Sequence, residues 1–178
     1  MASSRDRPPL KPPEVGERLR AQFGEDVSDV TDQDGHAVVT ISVGRFRELV
    51  QTLRDDPDFD CDYFDFSSAV DYPEQGQLEV VTHLYSNARN HNIRVKVRVP
   101  RDEPRCPSIA DLYPGANWSE RETWELFGVV FEDHPHLVKL VLPEPFEGYP
   151  LRKDFVLMSR RAKPWPGAPE GEEEEEEE

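Results

Sequence analysis

Between Leu78 and Val99 the chain alternates apolar and polar residues so regularly that few architectures other than a half-buried antiparallel hairpin accommodate it. Leu78, Val80, Thr82 and Leu84 fall on one face of a first strand. Ile93, Val95, Val97 and Val99 fall on one face of a second, with Arg94, Lys96 and Arg98 on the other. The link between them, residues 86–92, is short and polar, as a hairpin connection should be.

Elements that complete a sheet and cover it precede this hairpin. A helix is expected from near Pro13 to Phe23, entered through the rigid Pro12-Pro13 pair and ended by Gly24, with Val15, Leu19, Gln22 and Phe23 on one face. Strands are expected over residues 27–31 and 36–43, joined by an Asp34-Gly35 turn. Residues 45–54 place Phe46, Leu49, Val50 and Leu53 on one helical stripe, and Pro57 closes that segment. An aromatic-rich strand over 61–70 is bounded by Asp-Tyr-Pro at 71–73. The pattern implies an α+β fold: a mostly antiparallel sheet with helices packed on one face, followed by an extended proline-rich C-terminal arm.

Two capping-box patterns follow Pro107. Ser108-Ile-Ala-Asp111 predicts a short helix stopped by Pro114-Gly115. Ser119-Glu-Arg-Glu122 predicts a second through Phe127, with Gly128 as its stop. Beyond Val141, prolines at 143, 145 and 150 forbid regular structure, although Leu140, Val141, Leu142, Phe146, Leu151 and Phe155 make the segment apolar. Such an arm suits docking into a neighbouring groove, or else wraps its own sheet. The resulting division is a disordered tail over 1–13, an α+β domain over 14–140, a docking arm over 141–166 and a disordered acidic tail over 167–178.

The formal charge of −16 is half tail, since Glu170 and Glu172–Glu178 carry eight of the negative charges. The remainder is still acidic, which argues against nucleic acid as a partner. Cys61 and Cys106 are far apart and in no ligand-spaced motif, so no disulfide framework, zinc site or iron–sulfur cluster is expected. No window approaches the roughly 20 apolar residues of a membrane span, and any membrane association should come through partners.

Catalytic constellations are sparse. Of Glu120, Glu122 and Glu125, the first two read as first-turn carboxylates, and Glu125 as the i, i+4 partner of Arg121. His134 and His136 flank Pro135 without a third metal ligand nearby, which fits an imidazole that ties a loop together. Phe127, Phe131, Trp118 and Trp124 read as core residues. No Gly-x-Ser-x-Gly, Gly-x-Gly-x-x-Gly or P-loop motif is present, so the chain alone is expected to carry no catalytic site.

One longer pattern is specific. Glu120-Arg121-Glu122, Trp124-Glu125-Leu126-Phe127-Gly128, Phe131-Glu132 and His134-Pro135 are followed at a matching distance by Glu147-Gly148 and Pro150-Leu151-Arg152-Lys153-Asp154-Phe155. This order and spacing resembles the signature region of the 30-kDa-subunit family, the C subunits of respiratory NADH:quinone oxidoreductase (complex I), in its short actinobacterial form. Val138 stands where that family commonly has an arginine, and Tyr149 where a histidine usually precedes the second block. The resemblance implies a non-catalytic core subunit of the peripheral arm, in contact with subunits D, B and I and scaffolding the first of these, which holds the quinone site. It would bind no cofactor, with iron–sulfur clusters, FMN and quinone held in partner subunits. Its place would be the cytoplasmic side of the cell membrane, peripherally attached. Interface residues are then expected at Glu120, Arg121, Glu122, His134, Pro135, Lys139, Arg152, Lys153, Asp154 and Phe155. The equivalent subunit of a group 4 hydrogenase or ferredoxin-dependent complex shares the signature, and a free-standing binding module is the third reading.

Overall fold

The computed structural model describes residues 8–156. The first seven residues, the 157–166 part of the arm and the acidic run lie outside them. Helix α1 (Pro12–Phe23) starts where Pro12 and Pro13 supply helical φ angles, and the Glu14 carboxylate accepts the Lys11 amide at 3.1 Å. Just before it, within the stretch expected as a tail, the Leu10 amide donates to His91 Nδ1 at 3.2 Å. The buried face of α1 holds Val15, Leu19 and Phe23, but Gln22 is exposed and Gly16 lies inside instead. A β-carbon on Gly16 would sit 3.1 Å from Val30 Cγ1, so the glycine is what lets the helix approach strand β1 (Val27–Gln33).

Strands β1 and β2 (His36–Ile41) form the expected hairpin, turning through Asp34 and Gly35, both with positive φ. Helix α2 (Phe46–Asp55) buries Phe46, Leu49, Val50 and Leu53, the stripe read from the sequence. Strand β3 (Tyr63–Tyr72) begins two residues later than expected. Cys61 is held elsewhere, its amide on the Leu53 carbonyl at 2.8 Å and its carbonyl accepting the Tyr113 hydroxyl at 2.5 Å. Strands β4 (Gln77–Ser86) and β5 (His91–Pro100) make the antiparallel hairpin, with Leu84 opposite Ile93 and Leu78 opposite Val99.

The sheet runs β1-β2-β5-β4-β3, antiparallel except where β5 lies parallel to β2. Its inner face joins Val39, Ile41, Val80, Leu84, Val95 and Val97 to the buried residues of α1 and α2, and to Ala116 and Phe127 of helix α3 (Ala116–Phe127). The three helices thus share one core, where each fully buried Leu, Val or Phe contributes about 1.5–3 kcal/mol. Short strands β6 (Arg105–Pro107) and β7 (Val130–Glu132) pair in parallel on their own. No helix among the described residues is long and apolar enough to cross a membrane.

Several expectations fail between residues 107 and 127. The Ser108-Ile-Ala-Asp111 box opens no helix; residues 109–115 form turns. Helix α3 begins at Ala116, ahead of the second box, because the Ala116 amide already bonds the Tyr113 carbonyl at 2.9 Å and the turn rolls straight into helix. Glu120 and Glu122 are therefore not capping carboxylates. Trp118, expected in the core, is 60% exposed.

Candidate subunit-docking site

Helix α3 does two jobs with its charged side chains. The Glu120 side chain points inward and is almost wholly buried. Its Oε2 accepts the Ser108 hydroxyl at 2.6 Å and its Oε1 accepts the Ile109 amide at 2.7 Å, closing the loop that fails to become a helix. Burial, partly offset by those two donors, pushes the Glu120 carboxyl up to about 7. His134 Nε2 approaches Glu120 Oε2 at 3.9 Å, but its closer partner is the Asn117 carbonyl at 3.3 Å. His134 Nδ1 accepts the His136 amide at 3.0 Å, which puts the proton on Nε2. Burial pushes the His134 pKa down, which favours the neutral ring, and the ring ties its own loop to α3 by hydrogen bonds rather than by charge. The tied loop is the one expected of His134-Pro135.

One turn further, Arg121 and Glu125 do not pair with each other. Both reach across to the chain that leaves β7. Arg121 Nε donates to the Val138 carbonyl at 2.9 Å and Nη2 to the Lys139 carbonyl at 3.1 Å, while its guanidinium lies 5.3 Å over the Trp118 ring. Glu125 accepts the amides of Leu140 and Val141 on Oε2, each at 2.8 Å, and that of Leu142 on Oε1 at 2.7 Å. Burial opposes its ionisation, yet the three amides together hold the Glu125 carboxyl below the usual glutamate range. A segment with no sheet or helix partner still has to satisfy its backbone. This clamp supplies two acceptor and two donor sites from one helix face.

The arm then returns to its own domain. The Leu151 amide bonds the Leu126 carbonyl at 3.1 Å, and Arg152 Nε bonds the Phe127 carbonyl at 2.7 Å, capping the C-terminus of α3. The Arg152 guanidinium lies 4.5 Å over the Tyr149 ring. That ring in turn packs on Gly128, where a β-carbon would come within 2.6 Å of Tyr149 Cζ. The Lys153 amide donates to Asp71 Oδ2 at 2.8 Å, and Arg101 bridges Asp71 at 2.8 Å to Asp154 at 2.6 Å. Phe155 stacks on Phe146 with centroids 5.9 Å apart. Trp124, Leu142, Phe146 and Tyr149 line a cavity of about 260 Å³ between helix and arm.

Polar groups of the arm thus face inward and several apolar side chains face out. Val141 is 61% exposed and Leu151 50%, with Val138, Tyr149 and Val156 exposed beside them. Of the residues expected at an interface, Glu122, Pro135, Lys153 and Asp154 are exposed. Glu120 and His134 bury their side chains, and Arg152 and Asp154 are engaged within the chain. Lys139 lies 3.4 Å from Glu144. Sequence reasoning misses the clamp role of Glu125 and the Asp71–Arg101 bridge. Glu125 reads as half of a helix pair, and Asp71 and Arg101 are far in sequence from the arm they hold. Tyr149, a departure from the family pattern, is the residue that fills the space over Gly128.

Both thiols are buried, and burial pushes that of Cys61 up to about 12, away from nucleophilic use. Among the described residues no group of three or more His, Cys, Asp or Glu is placed to hold a metal ion.

Residues 39–161 match the family model described as respiratory-chain NADH dehydrogenase, 30 Kd subunit. The chain is 39% identical over 149 residues to the C subunit of NADH-quinone oxidoreductase from Roseiflexus castenholzii, covering 83% of this chain and 86% of that one. It is 36% identical over 137 residues to the protein of the same name from Salinispora tropica, covering 76% and 56%. Among solved structures, a trypsin-resistant fragment (1–134) of Nqo5 superposes with a TM-score of 0.60 at 29% identity, over 70% of this chain and 98% of the fragment. A chain of the membrane-bound sulfane sulfur reductase, an archaeal respiratory membrane complex, superposes with a TM-score of 0.62 at 24% identity, over 82% and 86%, and shares the fold. The matched stretch takes in the clamp, the buried Glu120 and the whole described arm, and the chain belongs to the family of respiratory-chain NADH dehydrogenase 30 Kd subunits.

Proposed function

We propose that this chain is a non-catalytic core subunit of the peripheral arm of a proton-translocating NADH:quinone oxidoreductase. It contacts subunits D, B and I, and scaffolds the first, where the quinone site lies. One observation carries the reading: the arm is fastened by its backbone to α3 and to the Asp71–Arg101 bridge, which leaves Val141 and Leu151 turned outward. An apolar face held in one conformation loses little entropy on association. Electron transfer from NADH to quinone then runs through FMN, iron–sulfur clusters and quinone held by the partner subunits. The complex would sit at the cell membrane with this subunit peripheral, on the cytoplasmic side.

Changing Val141 and Leu151 together to Ser tests the reading. Both are exposed, so the isolated chain should keep its stability within about 0.5 kcal/mol. Recovery of the chain with its complex, and the NADH:quinone activity of that complex, should fall. Normal recovery with normal activity would remove the arm's outer face from the assembly. The equivalent subunit of a related hydrogenase or ferredoxin-dependent complex would use the same arm, and the electron donor accepted by the purified complex separates the two.

A further inference from the structure

All three helices pack on one face of the sheet. On the other face, the outward residues of β5 are Arg94, Lys96 and Arg98, while Ile93, Val95, Val97 and Val99 between and beside them are buried. Strand β5 is the central strand, so the three cations form a row down the middle of the open face, each about 6.6 Å from the next. Few carboxylates answer them. Glu79, itself buried, lies 3.0 Å from Lys96 and 3.3 Å from Arg98. Arg94 has no ion pair among the described residues: its Nη1 reaches Gln33 Oε1 only at 3.5 Å, and its Nε is enclosed without a hydrogen-bond partner. Asp65 reaches the same face, but His83 Nδ1 occupies it at 2.9 Å. The row is open to a visitor, since the side chains of Lys96 and Arg98 are 23% and 55% exposed.

The same chain carries the complement. Glu172–Glu178 supplies seven successive carboxylates. In an extended backbone alternate side chains repeat at the spacing of the β5 row, so any three alternate glutamates match it and no single register is required. Reach is not limiting. The Asp154 carboxylate bonds Arg101 at 2.6 Å, one residue past the end of β5, so the chain departs about 10 Å along the strand from Arg98. Glu172 is sixteen residues beyond Val156, enough to span up to about 53 Å. A segment tethered so close competes well against the same charges on other molecules. We propose that the run Glu172–Glu178 lies along β5 of its own chain, its alternate carboxylates on Arg94, Lys96 and Arg98. This contact is separate from the arm and does not depend on the docking role assigned to it.

Carbodiimide coupling of the full-length monomer, with the joined peptides read by mass spectrometry, tests it. At low salt the glutamate run should join to Lys96 in preference to Lys11 and Lys139, and high salt should abolish that preference. Arg94→Gln together with Arg98→Gln should cut the Lys96 yield roughly two- to thirtyfold, the loss of two exposed ion pairs. A second measurement leaves the sheet untouched. Replacing each of Glu172–Glu178 by Ser in the full chain should speed acetylation of Lys96 and leave that of Lys139 unchanged. No preference for Lys96, a preference that survives high salt, or an unchanged acetylation rate overturns the proposal. A link to Lys96 found only between two chains would assign the run to a second copy, and overturns it as well.

Discussion

Glu120 is the residue at which pH should be felt most directly. Its carboxyl titrates near 7 in the folded chain against about 4.5 when unperturbed, chiefly through burial. The folded chain therefore holds this proton more tightly than the unfolded chain does. The contribution to stability is complete below about pH 4.5 and is lost as pH rises through 7, by about 3 kcal/mol at 1.36 kcal/mol per pH unit. Glu120→Gln mimics the protonated acid, with an amide to donate to Ser108 Oγ and a carbonyl to accept from Ile109. The variant should lose that part of the decline, which denaturant titrations of both proteins at pH 5 and pH 8 would show; parallel curves would mean that Glu120 is ionised throughout. Gly128 makes a second prediction. Its φ of 81°, and the Tyr149 ring lying 2.6 Å from where a β-carbon would stand, give Gly128→Ala two separate penalties. The backbone part should cost about 1–2 kcal/mol. The packing part should vanish in a Tyr149→Ala background, so a double-mutant cycle should show coupling between the two positions.

At the scale of elements, the clamp predicts where the arm lets go. Glu125→Ala strands the amides of Leu140, Val141 and Leu142, a loss of about 2 kcal/mol of local stability. Trypsin should then cut after Lys139 roughly thirtyfold faster, with little change in the global melting temperature. A cleavage rate equal to that of the parent chain would place the arm's anchorage elsewhere, at Asp71 and Arg101. What is legible in the sequence follows the same division of scale. Period-two alternation places the ends of β4 and β5 to within two residues, and the Phe46-Leu49-Val50-Leu53 stripe places α2, because both patterns are local and repeat. The insertion of β5 between β2 and β4 is not legible, since parallel pairing across that distance leaves no mark in either strand's own pattern. The capping boxes mislead for a physical reason: Ser108 and Glu120 do bond as a cap pair would, but across the turns of 109–115 and the first turn of α3 rather than within one turn. The arm's apolar, proline-broken character is plain, whereas its attachment through Asp71 and Arg101 depends on folding the sheet first.

Across the whole molecule, charge is distributed by use. Buried or bridged pairs such as Asp71–Arg101 hold parts of this chain together, and Glu79 is bracketed by Lys96 at 3.0 Å and Arg98 at 3.3 Å on the helix-free face of the sheet. Among the described residues, Asp29, Asp32, Glu74 and Glu122 lie exposed on the outside. Association with a basic neighbour should therefore weaken as salt rises, and the on-rate should fall more than the off-rate rises; an association rate indifferent to salt would mean that apolar contact alone guides the encounter. The clamp of Arg121 and Glu125 has a different consequence. It touches only main-chain atoms of residues 138–142, so it is blind to which side chains those residues carry. Fastening and recognition are thereby uncoupled: the outward surface at Val138 and Val141 is free to be rewritten for a different neighbour, while the mounting beneath it stays the same.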